Sequence, residues 1–188
     1  DYNRWTHADI FNRNGNSLMF LAIDIGNSHV TCGIYNKNKW IHTLRISSKI
    51  NFWNQFSTLK EYIITDVAIS SVVPKLTGAY QESIREIFYI ECMIINHKNA
   101  GVKLDVDFPE EVGSDRICNV AAASGLFGTP AIVGDIGSAT NYDVIDESGS
   151  FIGGAIAPGL ETAANNLFKK AALLKETAFT IPDSVIGK

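Results

Sequence analysis

The chain has 188 residues, 46% hydrophobic and 19% charged, with 15 Gly and 5 Pro. That balance excludes disordered, collagenous and coiled-coil classes and supplies enough apolar surface for a core without disulfides or metals. Sixteen Lys and Arg against twenty Asp and Glu leave a net charge of −4, which offers no basic excess for a phosphate backbone or an anionic membrane, so neither nucleic acid nor a membrane is expected as partner.

The first 18 residues are polar and Asn-rich, unlike a secretory segment, and read as a disordered or non-native leader with the native start at Met19. No run approaches the roughly 18 apolar residues of a membrane span. Cys32, Cys92 and Cys118 lie within apolar segments and lack C-x-x-C spacing, as buried thiols in a reducing, cytoplasmic compartment do.

Phe20 to Ile25 is an apolar run, followed by Gly26-Asn27-Ser28 and a β-rich stretch, Val30 to Tyr35. A turn at Asn36 to Lys39 leads to a third strand, Trp40 to Ile46, which completes a meander. Ile50 to Ile63 has weak helical spacing, Val67 to Val73 is a short strand stopped by Pro74, and Tyr80, Ile84, Ile87 and Phe88 share a helical face. Cys92 to Ile95 is a fifth strand, and Asn96 to Val112 an irregular, charged loop long enough to point to function or disorder. Ser114 is placed to cap a helix that turns Ile117, Val120 and Ala121 inward and stops near Gly125 or Gly128.

The opening theme then returns. Ala131 to Ser138 repeats Leu21 to Ser28 in outline, a strand ending in Asp-Ile-Gly followed by small polar residues. Asn141 to Ile145 and Gly149 to Gly154 supply two more strands, and Leu160, Ala163, Ala164, Leu167, Phe168, Ala171 and Leu174 fall at amphipathic spacing on a last helix. Self-similarity over a domain-sized period predicts an α/β protein made of two βββαβα units, the second incomplete.

Asp24-Ile25-Gly26-Asn27-Ser28 puts a carboxylate at a strand end and a glycine where main-chain N–H groups can approach an anion, a pattern that cradles phosphates and holds Mg2+ directly or through water. A plain hairpin turn would use the same residues. A second such turn, Asp135-Ile136-Gly137-Ser138-Ala139-Thr140, tips the balance, because two loops can grip one nucleotide from both sides. Asp115 could equally complement a helix dipole, Arg116 be a solvated surface charge, and Asn119 be an exposed polar residue.

These pieces, in order with Val73-Pro74, Pro109-Glu110-Glu111-Val112-Gly113-Ser114-Asp115-Arg116, Asn119 and Gly153-Gly154-Ala155-Ile156-Ala157-Pro158-Gly159-Leu160, resemble the type III pantothenate kinases of the acetate-and-sugar-kinase, Hsc70, actin superfamily. The resemblance spans Met19 to Lys188. It implies duplicated ribonuclease H-like units of the actin-like ATPase superfamily. Residues 19–128 form the first actin-like subdomain with the substrate segment, and 129–188 the first half of the second.

It also implies ATP-dependent phosphorylation of pantothenate, the first step toward coenzyme A, in a homodimer needing Mg2+ and a monovalent cation, K+ or NH4+. By position, Asp24, Ile25, Gly26, Asn27, Ser28, His29, Val30 and Thr31 match the nucleotide-phosphate loop, with Asp24 toward Mg2+, and Gly137 and Ser138 a second ATP contact. Gly113, Ser114, Asp115 and Arg116 match the pantothenate segment, with Asp115 the general base, and Asp135 matches the ligand of the monovalent cation. Ser138 stands where the family usually has Thr, and Val106 where some members place a substrate-contacting Tyr. The family continues for roughly another half domain past Lys188, so a longer protein is expected. A non-catalytic member akin to the Bvg accessory factors, or a sugar or acetate kinase, is the competing expectation.

Overall fold

The computed structural model describes residues 19–48, 56–99 and 101–171, and beyond them 173–175, 177, 180, 183, 184 and 186. The expected leader, residues 1–18, lies outside the described residues, as do 49–55. The chain divides into two compact units, one running through Val133 and resuming at Asp143–Gly154, the other comprising Gly134–Tyr142 and the chain from Ala155 onward.

The first unit is built on a five-stranded sheet. Strands β1 (Met19–Ile25), β2 (His29–Asn36) and β3 (Lys39–Ser47) form the meander, and β4 (Ile64–Ser71) and β5 (Met93–Ile94) extend it in the order β3-β2-β1-β4-β5. β1 pairs antiparallel with β2 and parallel with β4, and β4 parallel with β5. This strand order and pairing are those of the ribonuclease H-like unit that the sequence leads one to expect. β1 runs Phe20↔Asp66 through Ile25↔Ser71 against β4, but Met19 faces Ile64, so Thr65 is bulged out and its hydroxyl donates to the Met19 carbonyl at 3.3 Å.

Alternation on β1 sets the layers. Leu21, Ile23 and Ile25 are buried on one face with Val30, Cys32 and Ile34 of β2 and Val67 and Ile69 of β4, while Asp24 points the other way and is exposed. Helix α1 (Pro74–Phe88) covers the apolar face with Tyr80 and Ile84. Full burial contributes about 1.5–3 kcal/mol for each Leu, Ile or Val side chain, which makes this cluster the main anchor of the unit. Pro74, expected to stop β4, also opens α1, since its missing N–H and fixed φ suit the first helical position.

Helix α2 (Ser114–Phe127) turns Ile117 and Val120 inward, and Val120 joins a smaller core with Ile145 and Phe151. A second sheet follows the order β6-β7-β8, with β6 at Ala131–Ile136, β7 at Ala139–Ile145 and β8 at Phe151–Pro158, the same order of three consecutive strands that opens the first sheet. Helix α3 (Leu160–Lys170) closes the described part of the second unit.

Several elements differ from expectation. In the described part of the 50–63 segment Phe56 is helical and Ser57–Glu61 form a 3-10 turn, with Phe56 and Leu59 buried and Tyr62 packed against the core, while 50–55 lie outside the described residues. The 96–112 loop is pinned at its centre by Leu104 bridging to Phe151, with Asp105 N–H donating to the Phe151 carbonyl at 2.8 Å. β8 starts after Gly149, which sits in the turn at φ +82°, and runs on to Pro158. α3 ends at Lys170 rather than reaching Leu174, and none of its residues is buried, so no packing extends it.

Candidate active site

The first Asp-Ile-Gly turn is a tight reversal. Gly26 N–H donates to the His29 carbonyl at 3.0 Å, and a Cβ at Gly26 would lie 3.1 Å from that oxygen. Ser48, at the end of β3, donates its hydroxyl to the Gly26 carbonyl at 2.7 Å and its N–H to the Ser28 carbonyl at 3.1 Å. Three carbonyl oxygens of the turn are thereby committed to protein partners, which removes the acceptors most repellent to an anion. Asp24, Asn27, Ser28, His29 and Thr31 are exposed around the turn, whereas Ile25 and Val30 are fully buried, so anything the latter two offer a nucleotide comes from the main chain.

Asp24 is held from the neighbouring strand and from α2. It stands opposite Ser70 in the parallel β1–β4 register, and the Ser70 hydroxyl donates to Asp24 Oδ1 at 3.0 Å. Ser70 Oγ lies 3.2 Å from Ser114 Oγ, which accepts from Ser71 N–H at 2.8 Å and is 3.1 Å from the Ser71 carbonyl. Ser114 therefore does not cap α2. Gly113 occupies the N-cap position with no side-chain cap bond, and Ser114, the first helical residue, spends its hydroxyl fastening the helix start to the end of β4. The part-buried Ser71 N–H, at the last pair of the β1–β4 ladder, takes that acceptor, and the helix start goes without a side-chain cap.

Asp115 follows in the first turn of α2, where a negative charge is favourable. Its Oδ1 accepts from Arg116 N–H at 2.8 Å and folds back over Gly113, so any Cβ at Gly113 would collide with the carboxylate. One turn on, burial pushes the Cys118 thiol pKa up, a hydrogen bond with Ser70 pulls it down, and the charges of Asp24 and Asp115 push it up further. The Ser70 hydroxyl meets both Asp24 Oδ1 and Ser114 Oγ, so Asp24 stands beside the first turn of α2, which carries Asp115. Arg116 is not a solvated surface charge: its Nε donates to Asp143 Oδ1 at 2.8 Å, and its guanidinium lies 5.4 Å from the Phe151 ring centroid.

In the second unit the other Asp-Ile-Gly turn closes in the same way, with Gly137 N–H donating to the Ala139 carbonyl at 2.8 Å. Asp135 is half-buried at the end of β6, and Gly137 and Ser138 are exposed. The Ser138 carbonyl accepts from Gly159 N–H at 3.1 Å and from the Thr162 hydroxyl at 2.8 Å. Gly159 must lack a side chain, since a Cβ there would overlap the Gly137 carbonyl oxygen. The Ala157-Pro158-Gly159 stretch thus serves to seat this turn against the start of α3.

The sequence reading did not single out Ser48, Ser70, Cys118 or Asp143 as site residues. Asp143 left a signal: it shares the inward phase of β7 with Ile145, an acidic residue at a core position. Ser70 left none apart from lying at a strand end.

Among the described residues no group of three or more His, Cys, Asp or Glu stands ready to hold a metal, and no helix is long and apolar enough to cross a membrane. Residues 20–188 match the family model of type III pantothenate kinases. Proteins of that name from Thermomicrobium roseum and Agathobacter rectalis are 38% and 35% identical over 182 residues, which is 90% of this chain and 70% of each relative. One from Listeria monocytogenes is 38% identical over 183 residues, with the same coverage. Among solved structures, a protein described as a Baf-family transcriptional activator from Campylobacter jejuni superposes with a TM-score of 0.52 at 20% identity, over 89% of this chain and 68% of that one. That likeness speaks to the fold alone. A match that runs from β1 to the end of the chain, carried by close relatives of a single description, makes this chain a member of the type III pantothenate kinase family.

Proposed function

We propose that this chain catalyses ATP-dependent phosphorylation of pantothenate to 4'-phosphopantothenate, with Asp115 as general base. The observation that carries the reading is the Ser70 link, which ties Asp24 to Ser114 at the start of α2, one residue before Asp115. A primary alcohol is a weak nucleophile, and phosphoryl transfer depends on positioning and charge stabilisation. The Arg116 N–H anchors Asp115 Oδ1, leaving Oδ2 to take the hydroxyl proton as the alcohol oxygen bonds the γ-phosphorus and the β–γ bridging bond breaks. Asp24 to Thr31, with Gly137 and Ser138, hold the phosphates, and Gly113 to Arg116 hold pantothenate.

The donor set fits Mg2+. Asp24 is exposed and already oriented by Ser70, and a single carboxylate with waters and substrate phosphates is the usual way proteins hold this ion. When bound, Mg2+ neutralises charge on the transferring phosphate. Asp135 is assigned to the monovalent cation, K+ or NH4+. Exposed Ile156, Leu160 and Leu167 support a homodimer, and three free thiols support a cytoplasmic site of action. A purely regulatory, Bvg accessory factor-like role is not favoured, because a binding protein needs no base beside an oriented phosphate-site carboxylate. A sugar or acetate kinase is not favoured by the family match.

Asp115→Asn keeps the size of the side chain and removes the base. Pantothenate-dependent ADP release should fall by about 100- to 10,000-fold, with ATP affinity by calorimetry unchanged. Wild-type turnover in the Asn variant would overturn the assignment.

A further inference from the structure

We infer that Asp143 is a positioning residue for the phosphoryl acceptor: it clamps one edge of the Arg116 guanidinium against the face of Phe151 and leaves the opposite edge to the substrate. The inference rests on reading Gly113 to Arg116 as the pantothenate segment.

Asp143 is fully buried on β7, and its partner Arg116 is largely buried too. The other ion pairs among the described residues, Arg85 with Glu91 and Lys103 with Asp105, are mostly exposed on both sides. A buried ion pair is a poor device for stability, since desolvation offsets the attraction and an apolar pair of similar size often does better. This one is not even arranged for greatest strength. An Arg–carboxylate pair gains most when two donors meet two oxygens. Here Nε and Nη2 both converge on Asp143 Oδ1, and Oδ2 is buried without a hydrogen-bond partner among the described residues.

The geometry suits holding a guanidinium in one orientation. The carboxylate fixes its Nε–Nη2 edge, the Phe151 ring fixes its plane from 5.4 Å, and the backbone of α2 fixes its root one residue from Asp115. Phe151 is itself held in place, buried in the smaller core and bonded through its main chain to Lys103 and Asp105. Only the Nη1 edge of Arg116 is left for another acceptor. A lysine has a point charge and no second edge, so it could not be clamped and remain available in the same way.

The test is steady-state kinetics on the full chain, with Asp143→Asn, Arg116→Lys and the double variant, and thermal melting alongside. Asn keeps the volume and an acceptor oxygen but loses the charge that aligns the guanidinium. KM for pantothenate should rise by about 10- to 100-fold in Asp143→Asn, in line with the cost of a small misplacement, with KM for ATP unchanged. Arg116→Lys should show the same split, and the double variant should be no worse than Arg116→Lys alone. A folded Asp143→Asn enzyme with lowered melting temperature and wild-type pantothenate KM, beside a defective Arg116→Lys, would reduce Asp143 to a structural tie and overturn the inference. Wild-type pantothenate KM in Arg116→Lys would instead overturn the substrate role of Arg116 itself. If Asp143→Asn does not fold, Phe151→Leu carries the test: an apolar core survives without the ring face, pantothenate KM should rise while ATP KM holds, and an unchanged pantothenate KM refutes the clamp.

Discussion

Replacing Ser114 with Ala removes a single oxygen that serves three neighbours. Ser71 N–H loses its acceptor, and the single hydroxyl proton is lost to the Ser71 carbonyl or to Ser70 Oγ, whichever it serves. Leaving a buried N–H unsatisfied costs about 1–3 kcal/mol, more than the 0.5–1.5 kcal/mol net value of an ordinary hydrogen bond. Against this, Ala gains about 0.5 kcal/mol of helix propensity over Ser at the first position of α2. The balance is a destabilisation of about 0.5–2.5 kcal/mol, and at about 2–4 °C per kcal/mol for a chain of this size the melting temperature should drop by about 1–10 °C. Calorimetry on the purified variant reads this directly. Asp24 keeps its bond from Ser70, so ATP affinity should change far less than stability does. A melting temperature within about 1 °C of wild type would mean that the hydroxyl does not bridge α2 to β4, and the account of the helix start would be wrong.

Two further outcomes follow from the same geometry. Gly159→Ala forces a Cβ onto the Gly137 and Ser138 carbonyl oxygens, which as backbone atoms cannot rotate away. At an ordinary φ of −63° the penalty of about 1–3 kcal/mol comes from overpacking alone, and melting equal to wild type would refute it. The thiols should be sluggish. Burial, then the charge of Glu91, pushes Cys92 up to about 11 against a pull from Arg85, and burial and Asp24 push Cys32 up to about 12. A raised pKa means less thiolate at pH 8, so iodoacetamide should react at least about tenfold slower than with a free cysteine, and faster as pH climbs toward 11. Rapid labelling of the native protein at pH 8, located by mass spectrometry, would contradict this.

The elements that alternate or repeat were legible from residues alone. β1 to β3 follow from apolar alternation and the Asn36 to Lys39 turn, and both Asp-Ile-Gly turns announce themselves because Gly and short polar residues are what a tight reversal requires. The helix carrying Asp115 was legible too, yet Ser114 read as its cap, because capping is a local rule and the competing demand comes from Ser71, 43 residues earlier in the chain. Ser70 was out of reach for the same reason: it matters only through its alignment with Asp24. Arg116 looked like a surface charge or a substrate contact, and only the fold brings a buried Asp143 to it. The helical spacing at 50–63 falls largely outside the described residues, and its described end is a helical Phe56 followed by a single 3-10 turn, with Phe56 and Leu59 buried.

The bulge at Thr65 gives the first unit a tolerance for changes in chain length. A slip of one residue between β1 and β4 would turn Ser70 away from Asp24 and carry Ile69 out of the core. By ejecting Thr65 before the ladder settles at Phe20↔Asp66, the bulge takes up the surplus residue about 16 Å ahead of the carboxylate, at some 3.3 Å per residue. Insertions and deletions in the approach to β4 can therefore be absorbed upstream, while one falling between Asp66 and Ser70 reaches the site intact.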